Sequence, residues 1–160
     1  MADIEIRDAV ADDAGLILKF VTELARYEKA EHEVKATEKD IRDSIFGLES
    51  STHALICTID DCAVGFAVYF YNYSTWLGKN GLYLEDLYVS PAYRQHGAGK
   101  ALLRHLASIA IDRDCGRFEW SVLDWNEPAI KFYQSIGARS QAEWVGYRLE
   151  GEEIAALANC

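Results

Sequence analysis

Proline is scarce in this sequence, since only Pro91 and Pro128 occur in 160 residues, and no stretch is low in complexity. Linkers between domains are usually marked by proline-, glycine- or serine-rich composition. The length also suits one domain with its own hydrophobic core. We therefore predict a single domain that spans residues 1–160.

Cysteine pairs with a recognisable spacing are absent as well. The four cysteines form no C-x-x-C pair and no cysteine–histidine spacing typical of zinc sites; they are Cys57, Cys62, Cys115 and Cys160. Free thiols are typical of proteins in a reducing cytosol. The sequence thus predicts reduced cysteines, no bound metal and a cytoplasmic location.

Long apolar runs and positive charge are also in short supply. No segment approaches the roughly 18 apolar residues that a membrane helix requires, and residues 1–8, MADIEIRD, carry charges where a secretory signal would be apolar. Lysine and arginine total 16 against 26 aspartates and glutamates, which gives a net charge of −10. Such a surface repels nucleic acid and anionic lipid and attracts cations. We expect neither nucleic acid nor a membrane as partner, and favour a small cationic molecule.

Hydrophobic periodicity and turn residues predict the order of elements. A short strand around Ile4 and Ile6 precedes a helix that runs from an N-cap at Asp12 towards Ala30. The later predictions are a helix over 38–46, strands over 53–59, 63–71 and 81–89, a helix ending near 113, a strand over 117–123, a helix over 126–137 and a last strand over 143–151. The order β-α-α-β-β-β-α-β-α-β indicates an α/β fold: a mixed, mainly antiparallel twisted sheet flanked by helices on both faces.

The stretch YRQHGAGKALL, residues 93–103, places glycine and positive charge directly before an apolar helix. Gly97 and Gly99 allow a tight turn and the close approach of a ligand. Unpaired N–H groups at a helix start carry partial positive charge and suit phosphate. Side-chain charge is added at the same place by Arg94, His96 and Lys100.

Several interpretations of this turn compete. A phosphate-binding P-loop requires Ser or Thr after its lysine, and Ala101 follows Lys100, so that motif is excluded. A dinucleotide fingerprint would need a third small residue where Leu102 stands, but Glu119, about twenty residues on, keeps this alternative open. A solvated, glycine-rich helix start without a ligand is the third interpretation.

The segment RQHGAG, residues 94–99, follows a strand ending in LYV and resembles the acetyl-CoA pyrophosphate loop of the GNAT N-acetyltransferase superfamily. The resemblance extends over nearly the whole chain to the diamine acetyltransferase family, which comprises spermidine/spermine N1-acetyltransferases and their thialysine-acetylating relatives. The further motifs that carry it are ELARYE (23–28), TEKDI (37–41), YLEDLYV (83–89), WNEPAIKFY (125–133) and GYRLEG (146–151).

This resemblance implies a GNAT-like fold, acetyl-CoA as the acetyl donor and a homodimer. It also implies which residues bind acetyl-CoA, in two groups. The first group lies at a strand end and in the glycine turn: Leu87, Tyr88, Val89, Arg94, Gln95, His96, Gly97, Ala98, Gly99 and Lys100. The second group opens a later helix: Asn126, Glu127, Pro128 and Ala129.

Amide formation from a thioester and an amine needs a base for the ammonium proton and an acid for the leaving thiol. By resemblance, Glu85 lines the amine site and serves as the base through ordered water, and Tyr133 protonates departing coenzyme A. By pattern alone, Glu85 fits an acid on the solvated side of a strand equally well, and Tyr133 fits a core tyrosine with a satisfied hydroxyl better than a catalytic acid. Strict alternation along the strand places Glu85 and Asp86 on opposite faces of the sheet.

The resemblance places the amine acceptor at Tyr27 and Glu28, beside Glu85 and, more loosely, at Glu119, Trp120 and Ser121. Carboxylates suit a cationic acceptor, and an aromatic face adds cation–π attraction. The polyamine enzymes carry acidic residues before a Gly-Trp pair, whereas Trp144 and Val145 precede Gly146 here. A shorter diamine or a lysine analogue such as thialysine therefore fits at least as well as a polyamine.

The predicted function is N-acetyl transfer by direct attack within a ternary complex. A covalent route would need an activated thiol, and Cys115, the nearest candidate, has no evident base. A catalytically weak acyl-CoA-binding module and a dinucleotide-dependent oxidoreductase are the alternatives.

Overall fold

The computed structural model describes residues 3–160, which fall into two compact units. The first unit ends at Ser121, and the second runs from Val122 to Cys160. The first unit contains the sheet, and the second contains two short helices. The single-domain assignment for residues 1–160 stays a prediction.

The first unit comprises β1 (Ile4–Asp8), α1 (Ala14–Tyr27), α2 (Glu38–Phe46), β2 (Thr52–Ile59), β3 (Cys62–Ser74), β4 (Lys79–Val89), α3 (Ala98–Asp112) and β5 (Phe118–Trp120). The second unit comprises α4 (Glu127–Ser135) and α5 (Glu152–Ala158). The sheet order is β1-β2-β3-β4-β5, and every neighbouring pair is antiparallel except β4 and β5, which are parallel. The predicted mixed, mainly antiparallel sheet is confirmed.

Helices cover both faces of this sheet because its central strands are apolar on both sides. Phe20 of α1 stacks on Phe66 of β3 with ring centroids 5.6 Å apart, in a buried cluster that also contains Ile41 of α2. The opposite face includes Ile6, which is paired with Cys57 and lines a groove beside α3. Burying a side chain of this size contributes about 1.5–3 kcal/mol. No helix within residues 3–160 is long and apolar enough to cross a bilayer.

Local signals account for several boundaries. Thr37 and Asp40 form a reciprocal capping box at the start of α2: the Asp40 N–H donates to Thr37 Oγ1 at 3.1 Å, and the Thr37 N–H donates to Asp40 Oδ2 at 2.8 Å. Asp60 and Asp61 adopt positive φ angles of 50° and 67° between β2 and β3. Both features follow the sequence prediction, because a two-residue hairpin turn favours such residues.

The start of α1 differs from the prediction. The N-cap residue is Asp13 rather than Asp12, and it is also the last residue of a short 3-10 turn, Ala11–Asp13, that leads into the helix. Asp13 is buried, accepts the Val10 N–H at 2.8 Å and binds the Arg7 guanidinium through both oxygens at 2.7 and 2.9 Å. The bond with Arg7 is the main reason why the pKa of Asp13 is lowered. A partner in β1 thus decides which aspartate starts the helix.

The prediction of a last strand over 143–151 is wrong. Residues 138–150 pair with no described strand, and residues 152–158 form α5. A strand requires a neighbouring backbone for its N–H and C=O groups, and none pairs with this segment within residues 3–160. The helix has its own signal, since EEIAALA combines strong helix formers with acids in the first turn. The strand predicted over 117–123 is also shorter, because β5 stops at Trp120.

Candidate functional site

The edge of β4 is only partly paired. Leu82, Tyr83 and Leu84 face Phe118–Trp120 of β5, and no described strand continues along that side of β4 from Glu85 to Val89. Unpaired N–H and C=O groups on an extended strand can pair with an extended ligand. The predicted acetyl-CoA positions Leu87, Tyr88 and Val89 lie on this open stretch.

A β-bulge at Glu85 marks where the open stretch begins. Val68 of β3 pairs with Asp86, whereas the next residue, Tyr69, pairs with Leu84, so Glu85 has no partner in the β3 ladder. A bulge inserts one residue and breaks the alternation of side chains. Asp86 therefore shares a sheet face with Val68, next to α1. The prediction of strict alternation through Glu85 and Asp86 is wrong for this reason.

The turn after β4 presents backbone donors at the start of α3. A 3-10 turn over Pro91–Tyr93 leads into Gln95 with φ +69° and Gly97 with φ +88°. Gly97 is the N-cap residue of α3, and no side-chain bond caps the first turn of the helix. Alternation of left-handed residues with ordinary ones makes successive N–H groups converge into an anion-binding concavity. The predicted residues Gln95 to Lys100 are contiguous in this turn and first helical turn.

Arg94 lies in the same loop but directs its side chain elsewhere. Its Nε donates to the Val89 carbonyl at 3.0 Å. Its guanidinium carbon lies 5.3 Å from the ring centroid of Tyr27 and 5.7 Å from that of Tyr88. The side chain therefore packs between the end of α1 and the end of β4.

Asp86, in β4, interacts electrostatically with Glu85 beside it and with Glu28 just after the end of α1. The pKa of Asp86 is raised to about 6, mainly because its carboxyl is buried and further because Glu85 and Glu28 are negatively charged. Burial also raises the pKa of Glu28. Glu85 itself is exposed. Two predicted acceptor residues, Glu28 and Glu85, thus lie within electrostatic range of Asp86, which the sequence had not assigned to the site.

The β5 candidates lie along the neighbouring strand. Glu119 is in register with Tyr83, and its Oε1 accepts a bond from Asn72 Nδ2 at 3.4 Å. Ser121 Oγ and Tyr83 Oη are hydrogen-bonded at 2.8 Å. Trp120 is opposite Leu84 and only partly buried. Glu119 and Ser121 extend the polar lining along the face that carries Tyr83 and Asp86, whereas Trp120 lies on the face of Leu84.

The remaining candidates belong to the second unit. Tyr133 is partly buried in α4, with its ring centroid 5.9 Å from that of Phe132. Asn126 occupies the N-cap position of α4, although its side chain makes no capping bond. Glu127, Pro128 and Ala129 form the first turn of this helix. Their predicted roles, and that of Tyr133, stay predictions.

The family model for the acetyltransferase (GNAT) family matches residues 18–138, well over half of the chain. The chain belongs to this family. It is 40% identical over 169 aligned residues to thialysine N-epsilon-acetyltransferase from Sus scrofa, covering 99% of both chains. It is 30% identical to an L-ornithine N5-acetyltransferase from Arabidopsis thaliana, covering 95% of this chain and 86% of the other. An integron cassette protein from V. cholerae superposes with a TM-score of 0.81 at 31% identity, covering 98% of both chains.

GNAT membership makes the chain an N-acetyltransferase, as the sequence predicted, and the fold prediction is confirmed by the same neighbours. Burial and the nearby Asp114 charge raise the pKa of Cys115 and disfavour its thiolate. Asp86 is a candidate site residue that sequence reasoning missed. The residue stands in the LED sequence of β4, but the face of the sheet on which it lies depends on a bulge, and the alternation of side chains along one strand cannot reveal a bulge.

Proposed function

We propose that this GNAT enzyme transfers the acetyl group of acetyl-CoA directly to the primary amine of a small cationic acceptor. The observation that carries the proposal is the continuity of three features: the open edge of β4, the turn with positive φ angles at Gln95 and Gly97, and the uncapped start of α3. Acetyl-CoA supplies the activated acetyl thioester. The chain must bind and orient both substrates and remove a proton from the amine.

The donor side fits an extended molecule that ends in a diphosphate. The backbone of Leu87 to Val89 offers strand-like pairing to an amide-containing arm. The N–H groups from Gly97 to Lys100 offer a positive concavity to a diphosphate. A side chain at Gly99 would meet nothing within 4 Å in the protein itself, so the space above this backbone is open to a ligand.

The acceptor side fits a cation. Glu28, Glu85 and Asp86 concentrate negative charge in a partly buried place, where screening by water is weaker. Asp86 has a pKa of about 6, close enough to neutral pH for it to accept a proton during turnover. We assign proton removal from the ammonium to Asp86 together with Glu85, directly or through water, and proton donation to the departing thiol to Tyr133.

For the acceptor we favour a lysine-like amino acid with a terminal amine, or a short diamine, over a long polyamine. Two relatives are named for thialysine and for L-ornithine, which are amino acids with a primary amine at the end of the side chain. The segment before Gly146 also carries Trp144 and Val145 in place of acids. Acetyl transfer within a homodimer is part of the proposal, and sedimentation equilibrium tests the dimer.

The test is an acetyl-CoA consumption assay with thialysine, ornithine, lysine, diamines, spermidine and a lysine-containing peptide in parallel. We expect the highest kcat/KM with thialysine or ornithine and initial-rate lines that intersect, which indicates a ternary complex. Binding of acetyl-CoA without acetylation of any amine would favour the alternative of an acyl-CoA-binding module. Thermal unfolding with acetyl-CoA and with NAD separates the third alternative, because a ligand at 100 times its Kd stabilises by about 2.7 kcal/mol.

A further inference from the structure

Arg94 links the end of α1 to the end of β4, two elements that also meet in the core, where Phe20 lies 6.0 Å from Tyr88 between ring centroids. Its Nε–H···O bond to Val89 at 3.0 Å fixes the side chain along the end of β4. Its guanidinium then covers the rings of Tyr88, in β4, and Tyr27, the last residue of α1. A planar, delocalised cation can lie on aromatic faces and donate hydrogen bonds at the same time, which a lysine ammonium cannot do equally well.

A second bond links the same two elements one helical turn earlier. Tyr88 Oη donates to Glu23 Oε1 at 3.0 Å. The last turns of α1 thus contact the end of β4 through the hydrogen bond between Tyr88 and Glu23 and through the guanidinium of Arg94. Tyr27, which contacts the guanidinium, is followed in the chain by Glu28, whose charge contributes to the raised pKa of Asp86. The position of Tyr27 therefore sets the position of an acceptor-side carboxylate.

We propose that Arg94 is a positioning residue for the amine acceptor: through Tyr27 it holds the end of α1, with Glu28, against β4. The sequence had assigned Arg94 to acetyl-CoA, on the opposite side of the reaction. The inference rests on the proposed function for its kinetic consequence, whereas the contact between Arg94 and Tyr27 can be tested without turnover.

The kinetic experiment compares Arg94→Met and Arg94→Lys with Lys100→Met, using acetyl-CoA and S-acetylpantetheine as alternative donors. S-acetylpantetheine lacks the diphosphate, so a diphosphate contact cannot affect its use. We expect Arg94→Met to raise the KM for the amine by about fivefold to tenfold with both donors, which is the size of an exposed cation–π contact to two rings. Arg94→Lys should be nearly as impaired, because lysine lacks the planar face and the Nε donor.

Lys100→Met serves as the matched control for a diphosphate contact. Its loss should appear with acetyl-CoA and disappear with S-acetylpantetheine, with an unchanged KM for the amine. If Arg94→Met behaves in the same way as Lys100→Met, Arg94 is a diphosphate ligand and the inference is overturned. Full rescue by Arg94→Lys would also overturn it.

A double-mutant cycle in urea unfolding gives the readout that does not require turnover. We expect the loss of stability in Arg94→Met/Tyr27→Leu to be smaller than the sum of the losses in the two single variants, because both changes remove the contact between Arg94 and Tyr27. Strictly additive losses would refute the contact. If the wild-type enzyme acetylates no amine, the proposed function fails, and this cycle still decides whether Arg94 holds the end of α1.

Discussion

Asp86 offers the sharpest test of the acceptor site. Because its carboxylate is desolvated, removing its charge should raise the stability of the fold and lower the activity. The pKa of Asp86 rises from the ordinary 3.8 to about 6 in the folded chain. At neutral pH the carboxylate is charged, and its desolvation destabilises the fold. One pKa unit corresponds to about 1.4 kcal/mol, so removing the charge should stabilise by about 3 kcal/mol.

The pH dependence has a definite sign. Because the folded pKa lies above the unfolded one, the folded chain binds more protons between about pH 4 and pH 6, and it loses stability as pH rises through that window. Asp86→Asn abolishes this loss. The variant should exceed the wild type by only about 0.6 kcal/mol at pH 4 and should gain its full advantage, about 3 kcal/mol, above pH 6. Acetylation should fall by about 10²-fold or more in kcat/KM, because a proton acceptor is lost.

Urea unfolding followed by far-UV circular dichroism at pH 4.0 and pH 7.5 measures the difference. Glu85→Gln is the control, since this carboxylate is exposed at the bulge and its removal should change stability by no more than about 0.5 kcal/mol. Equal stability of Asp86→Asn and the wild type at pH 7.5 would refute the reasoning. So would a gain that is the same at both pH values, because it would arise from packing rather than from charge.

Four further predictions concern the other parts of the site and the fold. Tyr133→Phe should lower kcat by about 10²–10⁴-fold with an unchanged unfolding midpoint, and near-normal turnover in a steady-state assay would remove Tyr133 from the mechanism. Gly97→Ala should cost about 1–2 kcal/mol of stability, because φ is +88° there. Gly99→Ala should leave the unfolding midpoint unchanged but weaken the binding of acetyl-CoA measured by calorimetry. An unchanged affinity for acetyl-CoA would argue that the diphosphate binds elsewhere. Thr37→Ala should cost about 1 kcal/mol in urea unfolding through loss of the capping box, whereas a neutral result would mean that the cap adds nothing to the fold.

Much of the local structure could be predicted from short stretches of sequence. The capping box at Thr37 and the hairpin turn at Asp60 and Asp61 are examples in which neighbouring residues supply both partners of the interaction. The glycine turn before α3 belongs to the same class, because Gly97 adopts the left-handed conformation that glycine favours. Motif resemblance added the family, which no count of composition or periodicity could have provided.

Other features depended on partners that are distant in the chain. The bulge at Glu85 exists because β3 and β4 pair in a register that shifts between Val68 and Tyr69, and this shift sets the face on which Asp86 lies. Strand 143–151 failed as a prediction because a strand is defined by its neighbour, and no described strand pairs there. Arg94 is the first residue of the glycine-turn motif and was therefore assigned to acetyl-CoA, yet its side chain packs on aromatic rings of α1 and β4.

The sequence by itself determined helices α1 to α4, the turns and the antiparallel core of the sheet, because those depend on periodicity and on contacts between near neighbours. Its motifs identified the N-acetyltransferase family. Only the tertiary structure decided which carboxylate is buried, which part of β4 stays open and where Arg94 points. Burial, register and side-chain packing are properties of segments that meet in space, and neither alternation nor motif spacing along one chain contains them.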